Sequence, residues 1–248
     1  MKLFLDSDYK KLYENKPYYD DWVRPDSPGY KKILLEDLEW KLPHLQEIIP
    51  FNYSARTVVE IGCSIGHIIG NLKINGTNEF ERFGFDVNSK HIEFGRKLYP
   101  YVKFYDHSAF DGEKRFDLLI LCDILEHIQN DLEFLKSCRA MTDCLLVNIP
   151  LEKCFMARHR ELGPETCDGH LRVYNLNSAE QLLLNAGFKI VSLNVVSYLG
   201  TYISQKIFNA DGKNHPLGQL DFLSRFLLFH FPSIMRWYSG GNLFAFCE

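Results

Sequence analysis

The sequence of 248 residues predicts an α/β fold: a mostly parallel sheet with helices on both faces. Three observations carry this. Short apolar runs rich in β-branched residues alternate with helical patterns from Arg56 onward, the signature of a parallel sheet. The first run ends in a turn of small residues, Gly62-Cys63-Ser64-Ile65-Gly66, and a helical pattern follows at once. The second run ends in an acid, Asp86, just before another helix.

The first unit reads RTVVEIGCSIGHIIGNL from Arg56 to Leu72. Val58-Val59-Glu60-Ile61 suits a buried strand. A strand, a small-residue turn and a helix bring backbone N–H groups and a helix N-terminus to a ligand, where larger side chains would block the approach. The dinucleotide turn G-x-G-x-x-G is not met, because Ser64 stands at the second glycine and the third glycine is out of step. The pattern is instead E-x-G-x-S-x-G, starting at Glu60. It resembles the first motif of class I S-adenosylmethionine (AdoMet) dependent methyltransferases, in particular their broad small-molecule subgroup. That family usually has an acid two residues before the first glycine and a G-x-G-x-G turn. Ser64 replaces the middle glycine here, and its small size suits the turn.

The elements follow in order. Strands are expected over 57–61, 82–86, 102–105, 116–121 and 144–149, with helices near 66–74, 89–98 and 131–140. Ser89 is placed as an N-cap. Crossovers are right-handed by default. A later amphipathic helix over 178–186 is capped by Ser178 and ended by Gly187, and strands follow over 188–196 and 242–247. Five alternating strands and two late ones match the seven-stranded, Rossmann-like sheet of the family, whose last strand is antiparallel. Ahead of the sheet, Ile33, Leu34, Leu38, Leu42, Leu45 and Ile49 follow helical spacing, and Pro43 is expected to kink or split that helix. It reads either as a cover for one sheet edge or as a lid over the cofactor. A short helix is expected near 9–15, and Tyr18, Tyr19 and Trp22 read as packing or as an entrance lining. The expected domain organisation is a helical arm or cap over 1–50 and a methyltransferase domain over 51–248, with an insertion over 198–240.

Composition narrows the class. The chain is 46% hydrophobic and 24% charged, as in ordinary globular proteins, and its net charge of -4 leaves no basic footprint for nucleic acid. The seven cysteines include no C-x-x-C pair, and no secretory signal precedes them. Reduced thiols and a cytoplasmic location are therefore expected. No uncharged apolar window reaches the ~18 residues of a membrane span.

The resemblance implies AdoMet as cofactor and S-adenosylhomocysteine as product. Glu60, Gly62, Cys63, Ser64 and Gly66 supply the turn. Asp86, with Val87 beside it, stands where a carboxylate accepts both ribose hydroxyls, or else caps its helix. Asp106 and His107 follow the third strand, where an acid and adjacent backbone read adenine; Asp106 also reads as a turn cap. The fourth strand runs FDLLILCDILEHI from Phe116, similar to the family's FD-strand-LEH segment. Asp123 and Ile124 then fall beside the cofactor, Asp123 also being a metal-side candidate. Glu126 either orients His127 or caps a helix. The loop over 151–175 leads into GHLRVYNLNSAEQLLLNAGF, another stretch similar to the family. His170 and His127 are the candidate general bases, His170 preferred. Arg172 and Tyr174 are candidate substrate contacts. Cys154, His159, Cys167 and His170 are spaced C-x4-H-x7-C-x2-H, which is no zinc pattern, and no metal site is expected.

Residues 217–238 form an apolar run broken by Asp221, Arg225, His230 and Pro232. It reads as a lid, a dimer contact or a surface helix that admits peripheral membrane contact. The expected function is O-methylation of a small molecule or of a glycan or lipid intermediate. The alternatives are an NAD(P)-dependent oxidoreductase and a methyltransferase-like binding module without catalysis. The oligomeric state is not read from the sequence.

Overall fold

The computed structural model describes residues 17–106, 114–166, 168–197, 231, 236–238 and 240–248. The helix expected near 9–15, His107, Cys167 and most of the insertion over 198–240 lie outside these residues. Among the described residues no helix is long and apolar enough to cross a membrane.

The sheet has seven strands: β1 Thr57–Ile61, β2 Glu81–Phe85, β3 Val102–Tyr105, β4 Phe116–Cys122, β5 Thr142–Leu151, β6 Ile190–Val196 and β7 Gly241–Cys247. Their order is β3-β2-β1-β4-β5-β7-β6. Pairings β1–β2, β2–β3, β1–β4 and β4–β5 are parallel, while β7 runs antiparallel to both β5 and β6. The order reverses between β1 and β4, and ligands of open α/β sheets bind beyond the carboxyl ends of the strands at such a point. The two turns that leave these strands begin at Gly62 and Asp123.

The strands read as apolar runs because helices cover both faces. On one face α5 (Asp131–Met141) and α6 (Leu176–Asn185) bury Phe134, Leu135, Cys138, Ala179 and Leu183 against β4 and β5. On the other, α2 (Leu42–Glu47), α3 (His67–Asn71) and α4 (Ser89–Leu98) bury Leu45, Ile69 and Ile92. Two expected caps differ. The first turn of α4 is capped by Asn88, whose side chain accepts from the Lys90 and His91 N–H groups, rather than by Ser89. Asn175 caps α6, and Ser178 closes the reciprocal capping box from three residues inside. In both cases an amide side chain upstream reaches the orphan donors first.

The N-terminal cap is one helical path with a widened turn in its middle. Its first helix, α1 (Pro28–Leu35), is capped by the Ser27 hydroxyl. A π-helical turn, Glu36–Lys41, then leads directly into α2. Pro43 therefore neither kinks nor ends the helix at its own position. It lies in the first turn of α2, which continues from the π turn, and the carbonyl four residues back that its ring and missing N–H would disturb falls within that widened turn. That turn buries Asp37, Trp40 and Lys41 toward the carboxyl edge of the sheet.

Candidate functional site

The β1 turn needs left-handed backbone at three places: Gly62 (φ 74°), Ser64 (φ 49°) and Gly66 (φ 85°). A Cβ at Gly62 would meet Ile124 Cδ1 at 1.9 Å, and one at Gly66 would meet Phe104 Cζ at 2.5 Å. Gly62 thus lets the backbone pass the β4 turn, while Gly66 serves packing against β3. Ser64 adopts a conformation that favours glycine, which is why the middle position of this turn is usually glycine. Its N–H donates to Asp86 Oδ2 at 2.7 Å, and its hydroxyl lies 3.1 Å from His91 Nδ1. Asp86 Oδ1 accepts from the Asn88 N–H at 2.8 Å. A carboxylate offers about four acceptor sites, so Asp86 keeps capacity for a ligand.

Glu60 is buried at the end of β1, and its Oε2 accepts from the Ile69 N–H at 3.0 Å. Burial, with Asp37 nearby, raises its pKa well above the ordinary carboxylate value. Asp123 holds a left-handed φ of 50° at the start of the β4 turn. Lys41 bridges Asp123 Oδ2 at 2.7 Å and Asp37 Oδ1 at 3.1 Å. Burial alone would lower the Lys41 pKa; the two carboxylates outweigh it and hold the ammonium well above its usual value.

Farther along the same edge, His127 and His170 pack edge to face with ring centroids 4.7 Å apart. His127 Nδ1 contacts the Gly169 carbonyl at 3.2 Å. Burial and then the neighbouring His170 lower its pKa to about 4. His170 Nδ1 lies 2.8 Å from Glu152 Oε2. Glu152 also pairs with Arg160, which in turn pairs with Asp168. Burial alone would raise the Glu152 pKa, but His170 and Arg160 keep it below the ordinary value.

These groups wall one cavity of about 700 Å³ between the cap and the carboxyl ends of β1, β4 and β5, within the ~300–1,000 Å³ of small-molecule sites. Of the residues expected at the cofactor, Glu60, Gly62, Cys63, Ser64, Asp86, Val87, Asp123 and Ile124 line it; Gly66 and Asp106 do not. His127 and His170 line the same cavity, with Tyr19 and Trp22 from the cap. Arg172 and Tyr174 do not line it. Arg172 pairs with Asp131 at 2.6 Å, and the buried Tyr174 hydroxyl lies 2.7 Å from Asp131 Oδ2 and donates to the Leu125 carbonyl at 3.1 Å. Both tie the 151–175 loop to the start of α5. Exposed His159 also stays out of the cavity wall. Sequence reasoning passed over Glu152, Asp37 and Lys41 and gave Arg160 no role. An acid just after an apolar strand is the only local signal for Glu152, and nothing local marks Asp37 and Lys41, which reach the site only because the π turn rotates them inward.

The cavity fits AdoMet on two observations. Asp86 lines the cavity and, with one N–H bound at each oxygen, keeps acceptor sites for the hydroxyls of a ribose. Acidic side chains outnumber basic ones in the wall, which suits a cationic sulfonium.

The profile of a methyltransferase domain matches residues 37–193. No curated protein matches the chain in sequence. Among solved structures, the chain resembles one from the complex of the Haloferax volcanii Trm112 methyltransferase activator (14% identity, TM-score 0.59, covering 92% of this chain and 96% of that one). It resembles the plantazolicin methyltransferase BpumL, solved with a desmethyl-plantazolicin analogue and S-adenosylhomocysteine (14%, 0.54, 97% and 98%). A third is a SAM-dependent methyltransferase from Thermotoga maritima (19%, 0.50, 75% and 87%). At these identities the structures share the fold, while the matched profile covers most of the chain, including both turns that frame the cavity. The chain therefore belongs to the class I AdoMet-dependent methyltransferases.

Proposed function

We propose that the chain methylates an oxygen of a small molecule or of a glycan or lipid intermediate, with proton removal at the His127–His170 end of the cavity. The observation that carries this is the 2.8 Å contact between Glu152 Oε2 and His170 Nδ1. A carboxylate at Nδ1 fixes the tautomer, turns Nε2 into the basic atom and stabilises the imidazolium that forms. His127 is a poor proton acceptor, since burial and then His170 lower its pKa to about 4. AdoMet, when bound, supplies an electrophilic methyl on a sulfonium. The chain's own residues then hold the cofactor through the Gly62 turn and Asp86, exclude water beneath the cap and orient the acceptor. Orientation supplies much of the rate gain in such a site. Oxygen acceptors also need a proton taken away, which a nitrogen acceptor needs less.

The test is a screen of phenols, alcohols and amines with methyl-labelled AdoMet, reading the methylated atom by NMR. Transfer to oxygen supports the reading; transfer to nitrogen overturns it. With an oxygen acceptor in hand, His170→Gln is expected to lower kcat by about 10²–10⁴-fold. Glu152→Gln is expected to lower it less and to shift the pH–rate profile, because the histidine keeps its place but loses the charge behind it.

A further inference from the structure

Glu126 has no task in that reading. It is 1% exposed, and neither carboxylate oxygen has a hydrogen-bond partner on any other described residue. A buried carboxylate without such partners is costly to ionise, and a cation at the cavity wall would offset that cost. Glu126, His127 and His170 each bring a ligand atom within 4.8 Å of the others, and all three line the cavity. His127 Nε2 faces Glu126 Oε1 at 3.8 Å. Both imidazoles are held at Nδ1 by oxygen acceptors, the Gly169 carbonyl and the Glu152 carboxylate. That outer hydrogen bonding puts the proton on Nδ1 and offers Nε2 to an ion, as in metal-binding histidines generally. The two loops that carry these residues are tied together by the Leu171 N–H donating to the Glu126 carbonyl at 2.8 Å.

We propose that Glu126, His127 and His170 form a binding site for a divalent transition-metal ion at the acceptor end of the cavity. Two imidazoles and one carboxylate suit zinc or a similar ion and not magnesium or calcium, which prefer all-oxygen sites. Tetrahedral ligands lie about 3.3–3.6 Å apart when bonds are ~2.0–2.2 Å, so small side-chain rotations close the set. Three protein ligands leave a position open toward the cavity. The inference rests on the oxygen-methylation reading and changes its chemistry. With the acceptor hydroxyl at its open position, an ion there would lower that hydroxyl's pKa, so that the proton passes to water as the acceptor binds, before the cap excludes water, with no change in oxidation state. A ligating His170 cannot also accept that proton, so ion and free base are alternatives.

The test uses the full chain, stripped with chelator and dialysed. It is titrated with Zn²⁺ by calorimetry and with Co²⁺ by visible absorption. One equivalent of each, with cobalt bands of low-coordinate N/O ligation, is the expected result. Glu126→Gln, checked for folding by circular dichroism, is expected to weaken Zn²⁺ binding at least 100-fold; His127→Asn serves if that variant does not fold. Failure of the folded wild-type chain to bind either ion overturns the proposal, as does unchanged affinity in the folded variants. The oxygen-methylation reading is decided separately, by the atom that carries the methyl in the product.

Discussion

At the scale of single residues, Gly62 and Glu60 carry opposite lessons. Gly62→Ala forces a side chain into left-handed backbone, at a cost of about 1–2 kcal/mol, and collides with Ile124, which lines the cavity. The protein is expected to fold with a lower melting temperature and to bind AdoMet at least tenfold more weakly by calorimetry. Equal affinity would remove Ile124 and the turn from the cofactor site. Glu60 is buried where ionisation is unfavourable. Its folded pKa lies above its unfolded value, so its share of stability is complete below the unfolded pKa and is lost as pH rises toward the folded one. Glu60→Gln keeps an acceptor for the Ile69 N–H and removes that loss. It is therefore expected to raise thermal stability at neutral pH, with the gain shrinking toward pH 4, while AdoMet binding weakens. A gain that grows on acidification would contradict the assigned burial. The glycine pattern and Glu60 were legible in the sequence because a turn's needs are local. The pairing of Glu152 with His170 was not, since it joins a strand end to a loop through tertiary folding.

At the scale of elements, the cap is where local reasoning and structure part. Helical spacing correctly predicted a helix ahead of the sheet, and Pro43 signalled an irregularity. The form it takes, a π turn over Glu36–Lys41, depends on docking: Leu45 and Ile49 are buried against the sheet while Lys41 reaches Asp123. The parallel strands, by contrast, were legible to within a residue or two at each end, because buried parallel strands announce themselves as apolar runs. β5 is longer than its apolar stretch, extending over Thr142–Leu151, since pairing with β7 continues to Gly241. The buried Lys41 offers a direct test of how the cap is held. Lys41→Met leaves Asp37 and Asp123 facing each other without a cation, and breaking such a buried pair costs about 3–5 kcal/mol. Urea denaturation of this variant should show that loss. The double variant Asp37→Leu/Lys41→Met should recover part of it, because one uncompensated charge is gone. Additive losses would mean that the pair contributes nothing specific.

At the scale of the whole molecule, the cavity joins several parts of the chain that are distant in sequence. Its walls come from the cap, from the β1 and β4 turns and from the loop after β5. A ligand that fills it would touch all of them, so binding should register as global stability and not as local ordering alone. Linkage gives the size: ligand at 100 times its Kd adds about 2.7 kcal/mol. For a chain of this length each kcal/mol moves the melting temperature by about 2–4 °C. AdoMet or S-adenosylhomocysteine at that excess is thus expected to raise the melting temperature by about 5–10 °C. NADH is expected to leave it unchanged, because the turn lacks the second glycine of a dinucleotide site. Asp86→Ala should abolish most of the shift while leaving the unliganded melt close to wild type, since the backbone N–H groups of Ser64 and Asn88 that it now satisfies border the open cavity and can turn to water. Hydrogen exchange supplies the spatial readout. Slowed exchange should appear in the cap, around Lys41, as well as in the Gly62 turn. Protection confined to the turn would mean that the cap covers the cavity without taking part in binding, and that Asp37 and Lys41 serve the fold alone.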